Sequence, residues 1–419
     1  MLTEQPGLME DVRNHFAHID TCPFSGPRVF FENAGGALTL KSVMETSTAY
    51  AGYPDNQGRA NPASKALMAA IEKGKADARL MFNAPDGQIF VGESGTEVLF
   101  RLIRTASLGA LEGGTMLGST LEHPASRSAM TRWAQVTNRP HLLAFHDDAT
   151  GTVGLDAYAP HISADLRVAS IIQTSPVTGI SVDVAPIVRA IRAAAPDCFI
   201  IIDGIQHASH GKIDVESYGA DGYAVSPYKV FSRHGYGIGW ASDRLTACTK
   251  ETVIGGAATN WEQGTRDAGS YATFSDVVAY FLWLGGKFTA DTDERTRIEA
   301  AADAIHHHEQ KLTVAMMHGV GNQRGLADIP GVTVIGGADN MQREGVISLT
   351  SDQMESGALV ELLSEHGVRT HIRNDDHYCG NILTPLELKS CVRVSISHYN
   401  TEAEVAQFLT AMNTAANAG

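Results

Sequence analysis

The sequence predicts an α/β protein: a large domain with a mostly parallel sheet between helices, followed by a smaller α+β domain in the C-terminal part. Three observations predict it. Short continuous apolar runs such as RVASIIQTS and CFIIID have the character of strands buried on both faces. Amphipathic stretches such as VAPIVRAIRAAA separate them, as in a parallel sheet covered by helices. After about residue 285 this alternation gives way to a long polar, Ala-rich helix and three short strands.

Taken in order, QIFVG near residue 90 is the first expected strand, and TEVLFRLIRTASLGAL is the helix after it. TMLGS near 117 and HLLAF near 143 follow as strands, with SRSAMTRWAQ as a helix between them. RVASIIQTS near 170 and CFIIID near 200 flank the helix VAPIVRAIRAAA, and GYAV and GIGWAS are two more short strands. The Gly-rich HGYGIGW lacks a dinucleotide fingerprint and precedes no amphipathic helix, so it reads as a strand after a turn. DERTRIEAAADAIHHHEQKLTVAMM then carries the chain away from the sheet. GVTVIGG, GVISLTS and VRVSIS follow, with ESGALVELLSEHG and EAEVAQFLTAM as helices. The expected division is an N-terminal arm at 1–34 that joins the small domain, a large domain at 35–285 and a small domain at 286–419.

The 419 residues carry a net charge of −15, which argues against nucleic acid and anionic membrane surfaces as partners. No run is long and apolar enough to span a bilayer, and the polar, acidic start does not resemble a signal peptide. The five cysteines are scattered and form no C-x-x-C pair, so a disulfide framework or structural zinc is not expected and a reducing cytoplasm is. The consecutive His306, His307 and His308 fan out around a helix rather than converging on a metal, and a solvated helix face is expected there.

In an open parallel sheet, ligands sit at the carboxyl ends of the strands. The polar groups that follow the apolar runs are therefore the candidates. Gly95 and Thr96 open a helix after QIFVG, where free N–H groups, a hydroxyl and the positive dipole end suit a phosphate. Glu122 and His123 follow TMLGS, Thr174-Ser175-Pro176 follow RVASIIQ, Asp203 and Gln206 follow CFIII, and Ser226 and Lys229 follow GYAV. Each residue alone has an ordinary structural use as a cap, turn or solvated side chain. Together they meet the needs of pyridoxal 5'-phosphate: a lysine for the Schiff base, a carboxylate at the pyridine nitrogen, a phosphate cup and a flat group against the ring. Lys229, Asp203, the set Gly95, Thr96 and Ser226, and His123 supply these in turn.

In family order, FFENAGGA, NPASKALMAAIEKGKADARLMFNAP, GESGTEVLFRLIR, TLEHPASRSAM, IIIDGIQHASH, AVSPYKVFSRHGYGIGW, WEQGTRDAGS and VRVSISHYNT resemble the class V aminotransferases of fold type I, over nearly the whole chain. That group contains cysteine desulfurases, selenocysteine lyases, kynureninase and isopenicillin N epimerase. The resemblance implies that His123 stacks on the cofactor ring, Gln206 reaches its phenolic oxygen, and Lys229 also shuttles the α-proton of a small amino-acid substrate. It implies that Gly264 and Thr265 reach the phosphate of a neighbouring protomer, hence a homodimer. It further implies that Arg393 clamps the substrate carboxylate, a task the guanidinium fork suits, and that Asn33 belongs to the substrate site.

Two departures stand out. Desulfurases usually carry Asn where this chain has Pro176, and the family's usual His before the lysine is Tyr228 here. The TSP form looks more like the epimerase branch. The segment GVRTHIRNDDHYCGNIL reads as a polar loop before Arg393, and in it Cys379 aligns with the sulfur-accepting cysteine of desulfurases, with His377 nearby to favour its thiolate. The first expectation is therefore a cysteine desulfurase or related C–S lyase. The alternatives are an epimerase, a β-eliminating lyase or an aminotransferase with the same cofactor. A regulatory module that binds the cofactor without turnover is disfavoured, because the chain has no basic DNA-binding appendage.

Overall fold

The computed structural model describes residues 2–248 and 250–417. Seven strands build the larger sheet: β1 (Gln88–Gly92), β2 (Thr115–Ser119), β3 (His141–Ala144), β4 (Leu166–Ile172), β5 (Phe199–Asp203), β6 (Gly222–Val225) and β7 (Gly237–Ala241). Their spatial order is β1-β7-β6-β5-β4-β2-β3. The neighbours from β6 through to β3 pair in parallel, and β7 runs antiparallel to both β6 and β1. The connection between β6 and β7, residues 226–236, has no room for a crossover helix, so β7 must return antiparallel. The sheet is therefore mostly parallel, as the apolar runs foretold.

Strand β5 shows how the sheet is covered on both faces. Phe199 and Ile201 pack with Val98, Leu99 and Leu102 of α1 (Gly95–Gly109) and with Ala129 and Met130 of α2 (Pro124–Val136). Ile200 and Ile202 point the other way, into the core that holds Ile187, Ile191 and Phe274. This two-residue alternation with apolar residues on both faces is why the strand is continuously apolar.

The second sheet has order β8-β9-β11-β10 and is antiparallel throughout: β8 (Val332–Val334), β9 (Val346–Ser351), β10 (His371–Asn374) and β11 (Ser390–Ser395). Helices Ser356–Glu365 and Glu402–Asn417 cover it, with Leu359, Leu363, Phe408 and Leu409 buried against Leu349, Val392 and Val394. The N-terminal arm divides between the two cores. Val29–Phe30 pairs in parallel with Val368–Arg369, and Phe31 is buried beside the second sheet. Leu2, Leu8, Val12 and Phe16 instead join the core of the larger sheet, because the short helix Leu8–Asn14 has its apolar residues four apart and buries that side.

Two elements differ from the sequence expectation. Helix Ala268–Gly285 lies buried on most sides, so it has no amphipathic stripe to announce it. It crosses helix Pro62–Phe82 so closely that a Cβ on Gly74 would sit 2.7 Å from the Tyr271 carbonyl oxygen. The segment GVRTHIRNDDHYCGNIL is not all loop, since its first half forms β10 against β11.

Candidate active site

The carboxyl ends of β4, β5 and β6 open into a cavity with the N-termini of α1 and α2 on its rim. Thr96, His123, Asp203, Gln206, Ser226 and Lys229 line it, with Ile172, Thr174, Pro176, Ile205 and Tyr228 completing the wall. Every one of these positions follows or ends a strand, or opens a helix, so backbone elements rather than long side chains fix the geometry.

Lys229 ends a short helical turn, Pro227–Lys229, directly after β6. Its N–H bonds to Ser226 O at 2.9 Å and its Nζ donates to Gln206 Oε1 at 2.9 Å. Burial, with the charge of Arg393 adding to it, pulls the lysine down from 10.5 to about 7. Asp203 is the last residue of β5 and is 2 % exposed. One carboxylate oxygen accepts the Ile205 N–H at 3.1 Å and the other accepts the Ser126 hydroxyl at 3.3 Å. Burial pushes its pKa up, against the pull of those hydrogen bonds and of Lys229.

His123 caps α2, its Nδ1 accepting the Ala125 N–H at 3.1 Å, with Pro124 starting the helix. Burial, then the charges of Lys229 and Arg373, press its pKa to about 3. The ring is thus neutral and tied to the helix start through Nδ1, with the Tyr378 ring tilted toward it at 5.9 Å between centroids.

At the other end Ser94 caps α1, accepting the Glu97 N–H at 3.2 Å. Gly95 leaves a cradle that any side chain would fill: a Cβ there would meet Ser226 Oγ at 2.2 Å and Ile205 Cδ1 at 2.7 Å. Hydroxyls of Thr96 and Ser226 and the first N–H groups of α1 surround this space, which suits a phosphate. The donor set fits pyridoxal phosphate from end to end: an anion cup, a neutral flat ring, a buried carboxylate and a buried lysine whose charge is disfavoured.

Arg393 on β11 is 1 % exposed; its Nη1 donates to Pro176 O at 3.0 Å, and its Nε has no hydrogen-bond partner. Burial and the neighbouring Arg373 lower its pKa, with Glu32 and Cys379 only partly opposing them. The β10–β11 register sets His371 opposite Arg393 and Arg373 opposite Cys391, so both arginines share one face of the sheet.

Other sequence candidates fall elsewhere. Asn33 was expected at the substrate, yet its amide is spent on the protein: Oδ1 accepts the Tyr399 hydroxyl, and Nδ2 donates to Ser395 O at 2.7 Å. It ties the arm to β11, and its buried amide needs those partners. Gly264 and Thr265 are exposed and lie outside the cavity lining of their own chain. Cys379 was expected in a polar loop with a thiolate favoured by His377. It is instead 1 % exposed, and burial pushes its thiol pKa up despite Arg373 and Arg393. His377 is exposed, and its carbonyl accepts from Arg127 Nη2 at 3.0 Å. The expected solvated face of the three histidines fails at His308, which is buried with Nε2 3.0 Å from Asn400 O.

Sequence reasoning missed Ser126, which holds Asp203, and passed over Glu122. Glu122 is buried against Ser119, Ser170 and the Ile172 N–H, and burial beside Asp203 raises it to about 8. It also missed His207, His210, Glu309 and Glu344, which lie behind Gln206. The spacing of Gln206 and His210, four apart on a turn after the Asp203 strand, was the one available signal.

The family model described as aminotransferase class-V matches residues 29–408. Among curated relatives, a probable cysteine desulfurase of Vibrio cholerae is 23% identical over 97% of this chain and 98% of its own length. The aminotransferase-like protein FGM3 of Gibberella zeae is 25% identical, over 96% of this chain and 97% of its own. Among solved structures, a cysteine desulfurase from Thermococcus onnurineus superposes with a TM-score of 0.80 at 18% identity, and the cysteine desulfurase CsdA of Escherichia coli with 0.78 at 21%. Each of these two covers 98% of both chains, which fixes the fold as that of the type I pyridoxal-phosphate enzymes.

Proposed function

The chain belongs to the class V aminotransferase family, and from that premise we propose that it is a pyridoxal-phosphate enzyme of the cysteine desulfurase kind, with Lys229 as its cofactor lysine. The observation that carries this reading is the meeting of Lys229, Asp203, Gln206, His123, Thr96 and Ser226 around one cavity. When bound, pyridoxal phosphate supplies an electron sink that weakens the bonds at a substrate's Cα.

The chain's own residues do the rest. Gly95, Thr96 and Ser226 hold the phosphate. Asp203 keeps a proton at the pyridine nitrogen, and Ser126 keeps Asp203 aimed there. His123, neutral throughout the ordinary pH range, covers the ring. Arg393 takes the substrate carboxylate with the guanidinium edge that no protein group occupies. Lys229 moves the proton at Cα, a task suited to a buried lysine whose pKa burial pulls down. Gly264 and Thr265, exposed in their own chain, come to the phosphate of a partner in a homodimer. Among the described residues no helix is long and apolar enough to cross a membrane. The cysteines are free thiols, which supports work in the cytoplasm.

In the desulfurase reading Cys379 accepts sulfur. Its thiolate attacks the substrate sulfur, the C–S bond breaks with its electron pair going to Cβ, and the cysteine is left as a persulfide. The buried, raised thiol makes this step depend on Arg373 and Arg393 to stabilise the thiolate. Cys379→Ser is expected to abolish alanine formation from cysteine and persulfide labelling, with the cofactor spectrum unchanged. Turnover at the wild-type rate would make Cys379 a bystander. The second reading, a lyase, epimerase or aminotransferase of the same family, would then hold, and Pro176 next to Arg393 favours it.

Light scattering tests the shared site. A dimer is expected, with Thr265→Ala weakening cofactor retention. A fully active monomer that retains its cofactor would refute the shared site.

A further inference from the structure

Behind the cavity, four titratable side chains meet: His210, Glu309 and Glu344 are buried and His207 is mostly so. His210 Nδ1 lies 2.7 Å from Glu309 Oε2, and His207 Nδ1 lies 2.7 Å from Glu344 Oε1. Glu309 comes from α3 (Glu294–His318), 99 residues beyond His210 in sequence, and its Oε1 has no hydrogen-bond partner. Glu344 comes from the segment before β9 and accepts the Thr174 hydroxyl at 2.8 Å. The first pair reaches the cavity through a single amide, since Gln206 Nε2 is 3.2 Å from His210 Nε2 while Gln206 Oε1 accepts from Lys229.

The polarity of this chain of contacts is fixed by chemistry. An amide NH2 donates and cannot accept, so His210 Nε2 must be bare and its proton must lie on Nδ1, facing Glu309. In this arrangement of hydrogen bonds His210 is neutral, although burial is outweighed by Glu309 and Glu344, which together raise its pKa above the ordinary histidine value. This assignment of amide and tautomer is the one the hydrogen-bond network allows while a lysine ammonium stands in front of Gln206. If an acceptor oxygen stands there instead, such as the cofactor's phenolic oxygen, Gln206 must turn its NH2 forward. Its Oε1 then meets His210 Nε2, which needs a proton of its own.

We propose that the His210–Glu309 pair is a positioning device: His210 takes a proton on Nε2 from solvent when Lys229 becomes linked to the cofactor, and so holds Gln206 with its NH2 toward the cofactor's oxygen. This rests on Lys229 being the cofactor lysine. Linking Lys229 converts the ammonium that opposes a charge on His210. Glu309 and Glu344 face the imidazole from two other elements and favour its cation, whereas His207 beside it and His398 beyond stand against it. Burial of the whole cluster makes each unpaired charge costly, which couples the proton to the amide turn.

The test reads the imidazole nitrogens directly. Wild-type protein labelled with 15N-histidine is compared before and after loading with pyridoxal phosphate, and His210→Asn identifies the signal. One protonated ring nitrogen is expected before loading and two after. The same tautomer in both states would overturn the positioning role while leaving the function standing. A protein that takes up no cofactor would refute both. In a second arm, Glu309→Gln should move the pH midpoint of the bound cofactor's absorbance by about one unit, and Glu309→Asp should restore part of it. A lowered melting temperature with an unmoved midpoint would reduce the pair to a structural staple and overturn the proposal.

Discussion

Lys229→Ala is expected to leave a folded protein that no longer holds pyridoxal phosphate covalently and that has lost at least about four orders of magnitude in turnover. The size follows from the two tasks that the proposed function gives this one side chain. It anchors the cofactor, and it moves the proton at the substrate carbon, a general acid–base role worth about 10²–10⁴-fold by itself. The fold should survive, because truncation removes a buried amine that burial already disfavours as a charge. The pH dependence has a definite sign. With a lysine at about 7 rather than 10.5, the uncharged, attacking amine is half the population near neutrality. Capture of pyridoxal phosphate by the cofactor-free wild type should rise with pH and level off just above 7. An unperturbed lysine would keep gaining about tenfold per pH unit to beyond 10. Stopped-flow absorbance from pH 6 to 10 separates the two.

The second large effect lies at Arg393. Removing a charge-assisted, bidentate partner from a desolvated carboxylate costs about 2–4 kcal/mol. Arg393→Ala should therefore weaken amino-acid binding by about two orders of magnitude, with retention of the cofactor little changed. Spectral titration with L-amino acids measures both. Arg393→Lys should recover only part of the loss, since an ammonium lacks the planar fork. Equal loss of substrate and cofactor would instead mean that the Arg393 contact with Pro176 O is structural. Arg373, on the same face of the sheet and without an ion-pair partner among the described residues, adds positive charge beside Arg393, which in the proposed function would help to draw a carboxylate in.

Much of this site was legible in the sequence because it is built from strand ends. A strand buried on both faces is a continuous apolar run, so the first polar residue after it falls at the sheet's carboxyl edge. Asp203, Ser226 and His123 were found this way, and Lys229 three residues beyond Ser226. Positions set by partners far along the chain were not legible. Glu309 reaches His210 from 99 residues further along the chain, and nothing local distinguishes it from the exposed acids of the same helix. Ser126 looks like any residue in a first helical turn until Asp203 arrives beside it. Asn33 matched a family segment, but its two hydrogen-bonding ends turn out to be filled by Tyr399 and Ser395. Cys379 sits in a polar stretch of sequence, and it is buried where the short helix it caps carries Ile382 and Leu383 into the same core. Helix Ala268–Gly285 was hidden for the opposite reason, since a helix buried on most sides has no polar stripe to give it a period.

The central claim is that pyridoxal phosphate is held by Lys229. Reduction of the purified, cofactor-loaded protein with borohydride, followed by proteolysis and mass mapping of the pyridoxyl-bearing peptide, tests it most directly. The account predicts a yellow protein whose colour is bleached by the reductant and whose single adduct lies on Lys229 in the peptide spanning Ser226 to Arg233. A colourless protein that cannot be reconstituted, or an adduct on a different lysine, would contradict it.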